Sequence, residues 1–401
     1  MSSLEVLLGD IVVGVLTRYD DTYGRHDFTF DPAYVTHPAR PVLGQIFEDW
    51  LPDGIEKDDG IFPWFHHLLP LAHLPQRKAM ARDAGADPDD DMALLAWLGD
   101  DLLGAIRLRV LEPIGPWRRR ADRPLVVAPD DAIYRASLPG AQWKLSLTEE
   151  FKGIALPING QAGEWIGKFH SHAFDRAVRR EEATMAWARA IGIDVPEVRV
   201  VRAETITGLP EDIPRGDGDV YLVRRFDRGA DGARIHIEDF AQILDLPQGE
   251  GQFNSDYEAI ARVLSAIATL DDVRAFVRRL VFCVMVGNGD AHAKNWSVIY
   301  PDRRHARLAP AYDLLPTILA DHSRHGLALR LRGNRDFTAV TPASFMPMAG
   351  LVSVADASMR AWVIEDAALV RSAWAKMETQ ERFLRWERTK LERHMASIML
   401  M

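Results

Sequence analysis

Hydrophobic and polar positions along the chain follow two periods, and each predicts a different element. A period of two over 164–170 predicts a half-buried strand, and 219–228 predicts another. Residues 296–300 predict a third strand, with 307–312 as its hairpin partner ending at Asp313. Apolar positions three and four apart predict a helix over 179–191, closed by Gly192, and a helical region over 355–395. In that region Trp362, Leu369, Trp374, Phe383 and Trp386 are expected to anchor the core. One apolar run, 280–286, breaks off in Gly287-Asn288-Gly289, so a buried segment delivers a polar cluster to a loop, where functional groups concentrate.

That cluster carries the chain's most distinctive chemistry. It reads Asp290-Ala291-His292-Ala293-Lys294-Asn295, and Tyr312-Asp313 follows downstream. Phosphoryl transfer needs a base and oxygen ligands for magnesium, and little covalent chemistry beyond positioning and charge. A carboxylate at Asp290 would accept the proton of a substrate hydroxyl, while Asn295 and Asp313 offer hard oxygen donors for Mg2+. Lys294 would neutralise phosphate charge. An Asp-to-Asn step of five arises about once by chance in a chain of this size. Placement after the buried run is what gives the step weight, and an ATP-dependent kinase is the leading reading.

A kinase also needs a nucleotide surface. In 137–147, Gly140 permits close approach of backbone N–H groups to phosphate, and Ser137 and Gln142 add polar contacts, although one glycine is also an ordinary turn. The predicted strand 164–170 carries Lys168, whose role would be to reach the α- and β-phosphates; the competing reading is a surface lysine on an edge strand. Glu181 in the next helix would pair with it, with Glu182 as the rival, and the strand 219–228 takes the place of a hinge. The order of loop, strand lysine, helix glutamate, hinge, catalytic Asp and metal Asp is consistent throughout.

Bulk properties narrow the class further. With 401 residues, nearly half of them hydrophobic, the chain is long enough for two or three units of an ordinary globular enzyme. A formal net charge of -10 disfavours autonomous binding to nucleic acid. The single cysteine, Cys283, lies in the apolar run and reads as a core residue of a reducing cytosol. No basic leader and no membrane-length apolar run are seen, so the expected location is cytoplasmic, without membrane attachment. Proline and charge concentrate over 113–130, which reads as a linker, and 206–218 reads as a polar loop.

At these motifs the chain resembles the HipA family, the toxin kinases of bacterial type II toxin–antitoxin modules. Gly287 to Ser297 resembles the family's Asp-x-His-x-Lys-Asn signature, and 311–315 its metal-binding segment. Ser137-x-x-Gly140-Ala141-Gln142-x-Lys144 resembles its phosphate-contacting loop, and 222–228 its hinge, with Arg224 and Phe226 flanking adenine. Gly14-Val15-Leu16, Phe62-Pro63-Trp64-Phe65 and Leu98-Gly99-Asp100 resemble its N-terminal subdomain in order.

The resemblance implies an α+β, two-lobed fold similar to protein kinases and phosphoinositide kinases. Its parts would be a β-rich and helical N-terminal subdomain over 1–112, the linker 113–130, an N-lobe over 131–227 and a helical C-lobe over 228–401. It further implies ATP and Mg2+ as cofactors, with Asp290 catalytic, Asn295 and Asp313 on the metal, and Lys168, His292 and Lys294 toward the nucleotide. Ser137 matches the serine that family members autophosphorylate. The implied activity is a toxin's serine/threonine protein kinase acting on a protein such as an aminoacyl-tRNA synthetase or other translation component. The implied partner is a helix-turn-helix HipB-type antitoxin, through which alone DNA would be contacted. A catalytically weak nucleotide-binding regulator and a small-molecule kinase are the alternatives. Two departures stand out: Leu71-Ala72-His73 replaces an acidic-glycine step, and Arg225 replaces an acidic hinge residue, which predicts altered nucleotide affinity.

Overall fold

A computed structural model of the protein describes residues 1–20, 24–99, 102–112, 114, 144–150, 153–156, 163–169, 176–209, 213, 215–229, 232–320 and 326–401. The chain forms two compact units. The first comprises Met1–Ser171, Val201–Gly249 and Tyr300–Arg304, and the second His172–Val200, Glu250–Ile299 and His305–Met401.

The first unit holds two sheets. One is five-stranded, ordered Ile55–Lys57, His26–Phe30, Ile11–Arg18, Ser2–Leu8, Ile106–Glu112, with antiparallel pairing throughout. Gly14 lets its strand close on His26–Phe30: a Cβ there would sit 2.3 Å from the Thr29 carbonyl oxygen. Alternate residues Leu4, Val6, Leu8, Phe28 and Phe30 join a core with Phe47, Trp64 and Phe65, whose rings meet Phe28 or one another at 4.9–5.9 Å. The helix Asp91–Leu98 is apolar on every face because it is buried in this cluster.

In the second sheet, Gly153–Ala155, Lys144–Glu150, Trp165–Lys168 and Asp219–Arg224 lie side by side and antiparallel. The alternation in 164–170 and 219–228 therefore marks real strands, shorter than the pattern. Leu145, Leu147, Trp165, Val220 and Leu222 bury one side of it.

Among its described residues the second unit is mostly helical, with a short hairpin of Ser297–Tyr300 and Arg307–Leu308. Its centre is the helix Leu270–Val286, started by a reciprocal cap between Thr269 and Asp272. Asp272 also accepts from Arg307 Nε at 2.8 Å and from the Leu308 N–H at 3.0 Å, so one carboxylate begins the helix and fastens the hairpin. Asp366, fully buried on Asp356–Trp374, binds Arg274 and Arg278 of the central helix. The helix Ala177–Ala190, assigned by sequence order to the 131–227 span, groups with this unit. Trp187 packs on Trp374, Phe383 and Phe282, and Gly192 lies just beyond the helix end at φ 78°.

The expected anchors need correcting. Trp374 and Phe383 are buried, but Leu369 and Trp386 are exposed and Trp362 is half-buried. On Asp356–Trp374 the buried stripe is Met359, Val363, Asp366, Ala367 and Val370, so Trp362 and Leu369 each fall one position off it. Among the described residues no helix is long and apolar enough to cross a membrane.

Candidate active site

The central helix ends because Gly287 adopts the left-handed conformation, φ 71°. Its N–H and that of Asn288 return to the carbonyls of Val284 and Cys283. A Cβ at Gly287 would come within 2.7 Å of the Ile318 side chain, so only glycine fits the turn without displacement. The loop that follows is held by short-range polar bonds. Asn288 is buried, and its Oδ1 accepts from the Asp290 N–H at 3.0 Å; Thr317 Oγ1 accepts from the Gly289 N–H at 2.7 Å. Asp290 is thereby lifted to the surface, exposed, from a helix whose last turn is wholly buried.

Asn295 turns back onto this residue. Its Nδ2 donates to the main-chain carbonyl of Asp290 at 2.6 Å, which fixes the amide and leaves Oδ1 as the atom available to a cation. His292 lies alongside, with Nε2 3.8 Å from Asp290 Oδ1 and its ring edge-on to Phe253 at 4.8 Å. Beneath the loop, the Ala291 carbonyl accepts from Tyr257 Oη and from Trp296 Nε1, both at 3.1 Å.

Asp313 sits on the neighbouring segment, half-buried and at φ 53°, a backbone conformation that costs a non-glycine residue about 1 kcal/mol or more. The preceding residue ties the two segments together: Tyr312 Oη donates to the Lys294 carbonyl at 2.8 Å and meets Ser297 Oγ. Asp290, His292, Lys294, Asn295 and Asp313 thus lie on two adjoining segments of one unit. Sequence pattern gave no hint of Tyr312, Thr317 or Trp296 as the ties, since each acts on a backbone atom rather than through a motif.

Among the described residues no group of three or more His, Cys, Asp or Glu forms a metal cage. Magnesium bound with a nucleotide takes only one or two carboxylates plus phosphate and water, and an amide oxygen beside a single carboxylate fits that donor chemistry.

Of the residues expected on the nucleotide side, Lys144, Lys168, Arg224 and Phe226 fall in the first unit, and Glu181, His292 and Lys294 in the second. Lys168 is buried, paired across the sheet with Lys144 and Tyr221, with Nζ 5.5 Å from the Tyr221 ring centre. Arg224 is exposed with its guanidinium 5.9 Å over Trp165, and Phe226 is half-buried. Arg225 points inward: it donates to Asp227 at 2.9 and 2.7 Å, and Asp227 also receives Arg228 and the Gly104 N–H. Those two arginines hold the Asp227 carboxyl well below the usual range against the opposing effect of burial, so the hinge substitution is accommodated by an internal ion pair. Glu181 is buried in the second unit. Ser137, Gly140, Ala141 and Gln142, like most of the linker 113–130, lie outside the described residues.

Comparison with known proteins decides the family. The HipA-like C-terminal domain model matches residues 136–378, and the HipA N-terminal domain model matches residues 4–109. The chain belongs to the HipA family. Within it, the chain is 35% identical over 378 residues to Y4dM of Sinorhizobium fredii, named as a presumed kinase, across 92% of this chain and 91% of that one. It is 25% identical over 395 residues to the serine/threonine-protein kinase toxin HipA of Shewanella oneidensis, across 87% and 84% of the two chains. The solved Shewanella oneidensis HipA, in complex with HipB and operator DNA, superposes with a TM-score of 0.71 at 20% identity over 98% of this chain and 95% of that one. The fold is therefore the α+β fold of HipA, and the relatives are kinases by name.

Proposed function

We propose that the protein is an ATP-dependent serine/threonine protein kinase acting as the toxin of a type II toxin–antitoxin module. The observation that carries the reading is the coupling of Asn295 to Asp290. One amide places an oxygen donor and a surface carboxylate in fixed relation on a loop already tied to the Asp313 segment. In this reading Asp290 accepts the proton of the substrate hydroxyl and aims its oxygen, while Asn295 and Asp313 hold Mg2+. Bound ATP and its metal supply the transferable phosphoryl group and charge neutralisation.

Lys168, Lys144 and the loop residues Ser137, Gly140, Ala141 and Gln142 bind phosphate. Arg224 and Phe226 flank adenine, and His292 and Lys294 steady the phosphate side of the catalytic loop. Phosphorylation at Ser137 would add about two negative charges beside the phosphates and oppose ATP binding. The complex of Shewanella HipA with HipB supports a HipB-type helix-turn-helix antitoxin as partner and indirect contact with DNA. Domain limits at 112, 130 and 227 and a cytoplasmic location belong to the same reading.

The test is transfer of label from γ-labelled ATP to protein. Asp290→Asn is expected to reduce transfer at least about 100-fold, the range contributed by a positioned base. Equal incorporation by both proteins removes Asp290 from the mechanism. Phosphoproteomics after a short expression pulse then names the substrate, with a translation component expected.

A further inference from the structure

The central helix carries a charge in a place where a methionine would pack at lower cost. Arg279 is buried at 3% exposure in the second unit, and among the described residues no carboxylate forms an ion pair with it. Its Nη2 donates to the Ala309 carbonyl at 2.6 Å, and its guanidinium lies 5.5 Å from the centre of the Trp296 ring. Nε and Nη1 have no hydrogen-bond partner. Burial draws the guanidinium down to about 10, which still leaves it charged at neutral pH. A buried cation with two N–H groups unbonded, favoured only by the field of Asp194 without a direct ion pair, opposes folding, so fold stability does not explain it.

What Arg279 touches does explain it. Trp296 follows Asn295 directly, is packed against Phe276 one turn earlier on the same helix, and donates to Ala291 beside Asp290. Ala309 opens the segment that leads to Asp313, and it is held through both backbone groups: its N–H donates to the Ser297 carbonyl at 2.9 Å and its carbonyl accepts from Arg279. Tyr312 closes the same pair of segments from the other end.

We propose that Arg279 is a positioning residue for the metal site, holding the Asn295 and Asp313 segments at the separation one divalent cation requires. It touches neither nucleotide nor metal and acts through Trp296 and Ala309. A guanidinium can lie over an indole and donate to a carbonyl at the same time through a rigid planar fork, whereas the flexible lysine ammonium reproduces this pairing only in part. The inference rests on the kinase reading, because it needs Asn295 and Asp313 to be ligands.

The experiment measures Mn2+ affinity by electron paramagnetic resonance with a non-hydrolysable ATP analogue, for the full-length wild type, Arg279→Met and Arg279→Lys, alongside melting temperature and the Mg2+ dependence of transfer. Loss of a residue that orients ligands is expected to weaken Mn2+ binding about 10- to 100-fold in Arg279→Met, with Arg279→Lys between it and the wild type. A folded Arg279→Met with wild-type Mn2+ affinity overturns the proposal, even if its melting temperature falls. Should Arg279→Met fail to fold, Arg279→Lys decides alone, and wild-type affinity there overturns it equally. Wild-type protein that binds no Mn2+ with the analogue instead defeats the kinase reading of the site, and the inference with it.

Discussion

At Gly287 a single missing Cβ decides where the loop that carries Asp290 begins. The positive φ and the Ile318 side chain 2.7 Å from where a Cβ would lie both exclude a side chain, and Ile318 N–H also bonds the Gly287 carbonyl at 3.2 Å. Gly287→Ala is therefore expected to destabilise the protein by about 1–3 kcal/mol, combining left-handed strain with overpacking. Urea unfolding checks this; a change below about 0.5 kcal/mol would show that the turn relaxes freely. The glycine, the carboxylate and the amide were all legible as a spaced motif, because a turn and an Asp-to-Asn step are local. The partners that aim them were not. Thr317 caps Gly289 across 28 residues and Tyr312 reaches Lys294 across 18, and neither separation leaves a periodic trace.

Elements in the second unit are joined by a few buried charges rather than by apolar pattern alone. Glu387, 1% exposed on Arg385–Ser397, accepts from Arg180 at 2.8 Å and Arg176 at 3.3 Å, both on or beside the helix Ala177–Ala190, and from the Leu384 N–H that begins its own helix. Glu387→Ala removes the buried carboxylate that receives both arginines and caps its own helix, and the expected cost is about 3–5 kcal/mol. Thermal and urea unfolding of the variant measure it, and a loss under about 1 kcal/mol would mean solvent reaches Arg180 on truncation. This packing also explains why the anchors Leu369 and Trp386 were misassigned. A three-and-four spacing identifies a helix, but which stripe faces inward depends on the neighbour. Here Asp366 and its arginines fix the rotation of Asp356–Trp374, leaving Leu369 outside, while Glu387 and its arginines fix Arg385–Ser397, leaving Trp386 exposed with the Arg180 guanidinium 5.3 Å from its ring centre.

Across the whole molecule, the clearest titratable joint is Glu238 in the first unit. It is fully buried and accepts from Trp64 Nε1 at 2.8 Å, Gln45 N–H at 3.1 Å and Tyr300 Oη at 3.0 Å, residues far apart in sequence. Burial raises its carboxyl from 4.5 to about 8, against the pull of those donors. A folded-state value above the unfolded one contributes stability that is complete below 4.5 and disappears as pH rises through about 8. Glu238→Gln, which mimics the protonated acid, should match the wild type near pH 5 and exceed its stability increasingly toward about pH 8.5. Melting curves of the two proteins across that range test this. Parallel curves would show that Glu238 keeps one charge state throughout.

The sequence by itself determined local elements and a list of candidate parts: strand alternation around Lys168, the apolar run that breaks off at Gly287, and the spacing of Asp290, Asn295 and Asp313 by which the chain resembles the HipA family. These are local properties, set by backbone sterics and side-chain period. Only the tertiary structure decided which helix faces are buried, that Arg225 is spent on Asp227, that Tyr312 and Thr317 fasten the loop, and that Arg279 lies buried against the Ala309 carbonyl. Those outcomes depend on desolvating charges and filling space between segments distant in the chain, and a one-dimensional pattern carries no record of which distant group will be there.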